Sequence, residues 1–226
     1  MSQTIAVALG LIVVFAVGKN LGALFPGGNE VGYFLCLAYQ LYVPIWLIGR
    51  EGKDPVDYGI RMGSLDDLKR TGILCVIVFV PFVVAYHIFQ QVFSSYYGYT
   101  AVFSLNLRPE LLSFFFTNLF LVALPEEIFY RGFLQTRLLQ YWPNKTFLFS
   151  IPIGRAITVT SLFFALGHLA GETNIMRLAP FFPAYLFSLL VYRSGSIMGA
   201  VIFHALCNLL SEFLHSSYMW LPIAHR

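Results

Sequence analysis

The sequence predicts an all-α membrane protein, a polytopic bundle of about seven transmembrane helices with a range of six to eight. Of its 226 residues, 58% are hydrophobic and only 11% are charged, and the mean hydropathy is +0.73. Soluble domains carry about 25% charged residues. A helix needs about 20 apolar residues to span a bilayer, and seven stretches approach or exceed that length. These stretches fall near residues 4–25, 30–49, 71–93, 110–139, 152–170, 176–192 and 196–214.

Because these spans fit one small bundle, we expect a single membrane-embedded domain over residues 1–226, with a motif-bearing core at 110–214. The stretch at 110–139 is long enough for one tilted helix or for a helix that breaks at Pro125. Proline removes a backbone hydrogen bond from a helix, so either form is compatible with this sequence.

Two connections carry recognisable local signals. The polar segment 50–70 contains Ser64 followed by Asp66 and Asp67, which resembles a helix N-cap with an acidic first turn. We therefore expect an interfacial loop with a short helix there. The segment 94–109 is rich in tyrosine, a residue that commonly lies at the headgroup level of a membrane, so we expect an interfacial anchor.

The positions of the basic residues predict the orientation in the membrane. Most of them lie in the connections near 50–70 and 137–155 and between the last two spans, and by the positive-inside rule these connections face the cytoplasm. The N-terminus would then be inside and the C-terminus outside. No basic cluster with interleaved aromatics accompanies the net charge of +3, so we expect no nucleic-acid partner. The predicted internal set is Arg50, Lys53, Arg61, Lys69, Arg70, Arg137, Lys145, Arg155 and Arg193, and the external set is Lys19, Arg108, Arg177 and Arg226.

Two adjacent glutamates, Glu126 and Glu127, interrupt an apolar run, and ionisable groups within a membrane are costly unless they are paired or functional. Arg131 follows Glu127 by four residues, which places both on one helix face and predicts an ion pair. Neighbouring helical residues point about 100° apart, so Glu126 has no local partner. Burial favours a carboxyl group that can take and return a proton near neutral pH. Glu126 is therefore a candidate general base, although both glutamates could instead pair with arginines and only hold the bundle together.

Three further polar residues lie in later spans. His168 follows Phe164 by four residues, and His204 and Asn208 are four apart on one helix face. That pair could donate two hydrogen bonds to a developing oxyanion, yet each residue alone is more consistent with packing or interhelical hydrogen bonding. Together with the glutamates, they predict an acid–base site within the bilayer. The histidines near span ends are excluded from it: His87, His215 and His225.

The ordered set of these motifs resembles the CPBP/Abi family, the CAAX-protease and bacteriocin-processing intramembrane glutamic endopeptidases related to the Ras-converting enzyme. The resemblance covers roughly residues 120–214, about half of the chain. The motifs that carry it are Glu126-Glu127-xxx-Arg131, Phe164-xxx-His168 and His204-xxx-Asn208.

The resemblance implies an endopeptidase without a covalent intermediate or a cofactor, cleaving near the C-terminal end of a membrane-associated protein or peptide. It implies that Glu126 and His168 activate a water molecule, and that His204 and Asn208 stabilise the tetrahedral oxyanion. The arginine of the first motif would anchor the second glutamate. The partners implied are the peptide substrate and the lipid bilayer. The substrate stays open among a prenylated tail, a sorting-signal tail and a bacteriocin leader, and so does the oligomeric state.

Three other functions remain open. Two histidines and a glutamate can bind zinc, although the sequence lacks His-Glu-x-x-His and the two candidate histidines are 36 positions apart. A proton-coupled transporter could use the same groups as a relay, although no inverted repeat is visible. The third alternative is an immunity or scaffold protein with a degenerate site.

The compact size of the chain leads us to expect that the protein lies in the cytoplasmic membrane of a prokaryote.

Overall fold

The computed structural model describes residues 1–170 and 174–223, which form a helical bundle with two short antiparallel strand pairs. Three single-turn 3₁₀ helices occur in the connections, at Leu21–Ala23, Pro55–Tyr58 and Ile175–Leu178. The helices are α1 (Ser2–Asn20), α2 (Gly28–Arg50), α3 (Leu65–Tyr96), α4 (Glu110–Tyr141), α5 (Arg155–Leu169), α6 (Phe181–Ser194) and α7 (Met198–Ser217). The strands are β1 (Tyr99–Phe103), β2 (Phe147–Leu148), β3 (Ile151–Pro152) and β4 (Tyr218–Pro222).

The predicted fold class is confirmed. Within the described ranges, six helical segments are long and apolar enough to cross a membrane, and α5 is a shorter seventh. Its 15 residues extend about 22 Å at 1.5 Å per residue, less than the roughly 30 Å of a hydrocarbon core. The helix begins at Arg155 rather than near residue 152. The chain is an integral membrane protein.

The connections that follow α2, α4 and α6 meet at one end of the bundle. Arg61 Nε donates to the Gly195 carbonyl at 3.0 Å, and Arg137 pairs with Glu51. These contacts gather the predicted internal basic residues at one end, which we call the basic face. Lys19, Arg108 and Arg177 belong to the opposite end, while Arg226 and His225 lie outside the described residues.

The polar segment before α3 differs in part from the prediction. Ser64 Oγ accepts from the Asp67 N–H at 3.2 Å, and Asp67 accepts in return from the Ser64 N–H at 2.9 Å, so the predicted cap is present. The helix that it begins is α3 itself, with 32 residues. The expectation of a separate short helix at this cap is therefore wrong, because the apolar run continues directly from the capped turn.

The opposite end carries a strand pair that the sequence did not predict. β1 and β4 are antiparallel, with Tyr99 opposite Pro222 and Phe103 opposite Tyr218. The Trp220 indole N–H donates to Gln90 Oε1 at 2.8 Å and fixes the pair against α3. The aromatic segment predicted to lie at the interface thus forms a small sheet.

Helix α4 is continuous across Pro125 and does not break there, but it contains π-helical segments on both sides, at Leu119–Ala123 and Ile128–Gln135. Because proline has no N–H, the carbonyl four residues earlier, that of Leu121, loses its usual donor. The Tyr33 hydroxyl of α2 donates to that carbonyl at 2.9 Å. Such π-helical turns are frequent at functional sites.

Helices α1 and α2 pack closely where two glycines face each other. A Cβ added at Gly32 would overlap the backbone carbonyl of Gly18, so this approach requires glycine at position 32. The Tyr39 hydroxyl donates to the Val7 carbonyl at 2.9 Å further along the same contact. The α1–α2 pair is thereby fixed as a unit against α4.

Candidate active site

The two adjacent glutamates lie in the short α-helical stretch between the π-helical segments of α4. Glu127 is fully buried and Glu126 is 9% exposed. Neighbouring residues diverge by about 100° around a helix, and the two carboxylates accordingly contact different groups. The local backbone therefore gives the adjacent acids separate environments.

Glu127 forms the predicted ion pair with Arg131. Arg131 Nη1 lies 3.2 Å from Glu127 Oε1, and both side chains are fully buried. Arg131 Nη2 also donates to the Ala184 carbonyl of α6 at 3.2 Å. The guanidinium lies over the rings of Phe164 and Phe187, at 4.4 and 4.9 Å from their centroids. The pair thus links α4 to α5 and α6.

His204 of α7 lies between the two glutamates. Its Nδ1 is 3.0 Å from Glu127 Oε1 and its Nε2 is 3.8 Å from Glu126 Oε2. The Phe187 ring stacks on the imidazole, with centroids 4.8 Å apart and an interplanar angle of 16°. Because Glu127 Oε1 also accepts from Arg131 Nη1, His204 Nδ1 is the donor in that bond. Its Nε2 then faces Glu126.

His168 lies in the last turn of α5, away from direct contact with Glu126. Its Nδ1 is 2.9 Å from the Phe164 carbonyl, an acceptor, so Nδ1 is the donor in that bond. The Phe164 ring lies 4.6 Å from the imidazole of His168 and 5.7 Å from that of His204, centroid to centroid. Phe164 therefore joins the two histidines, which have no mutual hydrogen bond among the described residues.

Asn208 has a partner that the sequence analysis missed. Its Nδ2 donates to Asn118 Oδ1 at 3.1 Å, and Asn118 Nδ2 donates to the Phe114 carbonyl at 3.0 Å. Asn118 lies in the apolar run of α4 and is 9% exposed. A polar side chain in that apolar run is a signal from which the sequence alone could have identified Asn118 as a candidate. The pair connects α7 to α4 two helical turns before the glutamates.

The cluster retains polar atoms without a hydrogen-bond partner in the described structure. They include Glu126 Oε2, Glu127 Oε2, Arg131 Nε and Ser161 Oγ. Buried polar groups are usually satisfied, and exceptions concentrate at functional sites. The unpaired oxygen of Glu126, Oε2, lies 3.8 Å from His204 Nε2.

Glu126 also borders a cavity of ≈ 450 Å³ between α1, α2 and α4. Tyr33, Cys36 and Gln40 of α2 lie in its wall, and Asn29 lies near the start of that helix. The cavity gives a molecule outside the bundle a route to the carboxylate.

Within the described ranges, no group of three or more histidine, cysteine, aspartate or glutamate side chains is arranged to hold a metal ion. Glu126, Glu127 and His204 are close together, but Glu127 Oε1 is already bonded to Arg131 and to His204. The observed contacts of this cluster are hydrogen bonds and ion pairs.

The fold and the site define a polytopic membrane protein with a buried glutamate–histidine–arginine cluster. Residues 108–210 match the model of the family described as type II CAAX prenyl endopeptidase Rce1-like. This match confirms the predicted resemblance to the CAAX-protease family over these residues, which are somewhat less than half of the chain. Comparisons with curated proteins and with solved structures found no match. Helices α1 to α3 lie outside the matched residues.

Proposed function

We propose that the protein is an intramembrane glutamic endopeptidase. It cleaves a peptide bond near the C-terminal end of a membrane-associated protein or peptide, with water activated by Glu126. The observation that carries the proposal is the position of Glu126 Oε2, which has no hydrogen-bond partner, lies 3.8 Å from His204 Nε2 and belongs to a residue that borders the cavity. We further propose a single domain over residues 1–226 in the cytoplasmic membrane of a prokaryote.

In this mechanism Glu126 removes a proton from water as the water oxygen attacks the scissile carbonyl carbon. The carbonyl π electrons move to oxygen and form a tetrahedral oxyanion. When the oxyanion collapses, the C–N bond breaks and the proton held at the site passes to the departing amine. No covalent bond to the protein forms at any stage.

His204 is the immediate partner of Glu126 in this proposal, because it is the histidine in direct proximity to the carboxylate. Glu127 orients the imidazole through Nδ1, as a second carboxylate orients the histidine of a catalytic triad. The proximity of His204 Nε2 to Glu126 supports an assisting role for His204 in addition to the oxyanion stabilisation that the resemblance implies. His168, at the end of α5, keeps the role in activating water that the resemblance implies.

Asn208 contributes to oxyanion stabilisation. Its amide has two N–H groups, one of which is engaged by Asn118 Oδ1 at 3.1 Å. The second N–H remains as a donor, and removing one such donor typically costs about 10²–10³ in rate. The bond to Asn118 fixes the plane of the amide and so the direction of that donor.

The test compares peptide termini in native membranes that contain the wild-type protein, the Glu126→Gln variant or no protein. We expect new termini only with the wild type, because glutamine preserves size but cannot accept the proton. Glu212→Gln, in an exposed ion pair with Arg108, is the matched control and should cleave normally. Equal cleavage by Glu126→Gln would refute the proposed base.

The same native membranes can be used to distinguish the proposed function from the other candidate functions. Full activity in the presence of a strong chelator would remove the zinc-dependent mechanism. Absence of any new terminus with folded, abundant protein and several membrane-tethered substrates would contradict the peptidase and favour a transporter or scaffold.

A further inference from the structure

The cavity beside Glu126 is built from one end of the α1–α2 pair. Its walls include Gly18 and Lys19 at the end of α1 and Asn29 at the start of α2. Gln40 is the lining residue furthest along α2, about 16 Å from Asn29 at 1.5 Å per residue. The cavity therefore runs from the ends of these helices down to the level of the glutamate.

That end lies opposite the basic face. The loops after α2, α4 and α6, together with the helix ends that flank them, carry nine of the fourteen arginines and lysines, and contacts such as Arg61 to Gly195 hold these loops together. By the positive-inside rule the basic face is cytoplasmic. Glu126 is consequently reached from the non-cytoplasmic side.

Gln40 gives the inner end of the cavity an unusual polar group. The residue is only 4% exposed, and its side-chain Nε2 has no hydrogen-bond partner in the described structure. Its neighbours in the wall are already engaged: the Tyr33 hydroxyl bonds the Leu121 carbonyl, and Cys36 Sγ lies 3.7 Å from the Val14 carbonyl. An unpaired buried donor is costly, and a peptide carbonyl is an acceptor that would satisfy it.

We propose that this cavity admits the substrate from the non-cytoplasmic face, and that Gln40 Nε2 donates a hydrogen bond to a backbone carbonyl of the peptide beside Glu126. The inference rests on the proposed endopeptidase function and names its substrate class. The substrate is the C-terminal tail of an exported protein tethered to the membrane. A prenylated tail on a cytoplasmic protein would approach from the opposite face.

The direction of access can be tested without any substrate. In a cysteine-free background, Leu37→Cys places a thiol in the cavity wall, whereas Leu35→Cys, two residues away, replaces a 45% exposed leucine on the outer surface of the bundle. Lys53→Cys marks the basic face. The probe is a membrane-impermeant sulfonated methanethiosulfonate, applied to right-side-out and inside-out vesicles. The background replaces Cys36, Cys75 and Cys207 by alanine.

We expect Leu37→Cys to react in right-side-out vesicles and Lys53→Cys only in inside-out vesicles, with Leu35→Cys unreactive in both. Reaction of Leu37→Cys only from the cytoplasmic side would overturn the proposed direction. Failure to react from either side would overturn the cavity as an aqueous passage.

The role of Gln40 is tested with Gln40→Leu. We expect kcat/KM to fall about tenfold or more, mainly through a higher KM, because one hydrogen bond to the substrate is lost. Thermal stability should not fall, because the amide Nε2 has no hydrogen-bond partner among the residues that the structure describes. Tyr42→Phe changes a 68% exposed residue of α2 that lies outside the cavity wall, and its kcat/KM should be unchanged. Unchanged KM in Gln40→Leu, or a parallel loss of stability, would refute the binding role.

The two proposals fail separately. If no substrate is cleaved by the wild type, the proposed function fails while the labelling pattern stands. If cleavage depends on Glu126 and Leu37→Cys reacts only from the cytoplasmic side, the function stands and the direction of access is wrong.

Discussion

Replacement of Arg131 by methionine is the most direct test of the site's architecture. The change removes a fully buried charge that bonds Glu127 at 3.2 Å and the Ala184 carbonyl at 3.2 Å. Methionine fills a similar volume, so the main consequence is electrostatic. Glu127 is left as a buried carboxylate with only His204 as a partner.

The magnitude follows from that unpaired charge. Removing one partner of a buried ion pair costs about 3–5 kcal/mol. The guanidinium also lies 4.4 and 4.9 Å from two phenylalanine ring centroids, and each cation–π contact contributes about 0.5–2 kcal/mol. We therefore expect the free energy of unfolding to fall by about 4 kcal/mol or more. Cleavage should fall as well, because the histidine loses its fixed orientation.

The assay is reversible unfolding in lipid bicelles, with the free energy compared across variants. Arg108→Met is the matched control, because Arg108 forms an ion pair with Glu212 at 3.1 Å with both side chains exposed. Exposed pairs contribute about 0–1 kcal/mol. A loss in Arg131→Met no larger than that in Arg108→Met would refute the buried pair as a stabilising element.

A double variant identifies the cause of the loss. Glu127→Gln combined with Arg131→Met removes both charges, and the amide oxygen can still accept from His204. We expect the double variant to be more stable than Arg131→Met alone, because no buried charge remains unpaired. If the stability losses of Glu127→Gln and Arg131→Met simply add in the double variant, then lost packing, rather than an unpaired charge, causes most of the destabilisation.

Three further predictions concern packing, pH and the oxyanion donor. Gly32→Ala should lower the free energy of unfolding by about 1–3 kcal/mol through the overlap with α1, whereas Gly49→Ala, with open space around its Cβ position, should be neutral or stabilising in thermal melts. The hydrogen bond from Arg137 holds the pKa of Glu51 below its ordinary value of 4.5, so the pair stabilises the fold above that pH and loses its contribution as the pH falls through the lowered pKa. The stability difference between wild type and Glu51→Gln in melts should thus persist at neutral pH and vanish in acid; an unchanged difference at pH 2 would contradict it. Asn118→Leu should lower kcat about tenfold with little change in KM, and normal kcat would show that the asparagine pair has no catalytic part.

The local features of the fold could be predicted from the sequence. The spans follow from apolar runs of sufficient length, and the Ser64 cap follows from short-range side-chain chemistry. The Glu127–Arg131 pair follows from the spacing of four residues, which helical geometry converts directly into a contact. Each of these depends on residues close together in the chain.

The contacts that could not be predicted are those between distant segments. The pairing of Tyr99–Phe103 with Tyr218–Pro222 joins the middle of the chain to its end. The bond between His204 and Glu127 likewise depends on how α7 packs on α4, and it moves His204, instead of His168, next to Glu126. Gln40 gave no signal, because one glutamine in an apolar helix is informative only once its lack of a partner is known.

The matched and unmatched parts of the chain have different tasks in this structure. The proposed chemical groups come from α4, α5 and α7, which lie within the residues that match the peptidase family. The opposite cavity wall comes from α1 and α2, which lie outside the match and are fixed by the Gly18–Gly32 contact. In the proposed function, a substrate that reaches Glu126 passes between these two parts. We therefore propose that selection of the peptide depends on the α1–α2 wall and cleavage on the cluster, so changes at Gln40 should alter which peptides bind without altering how they are cut.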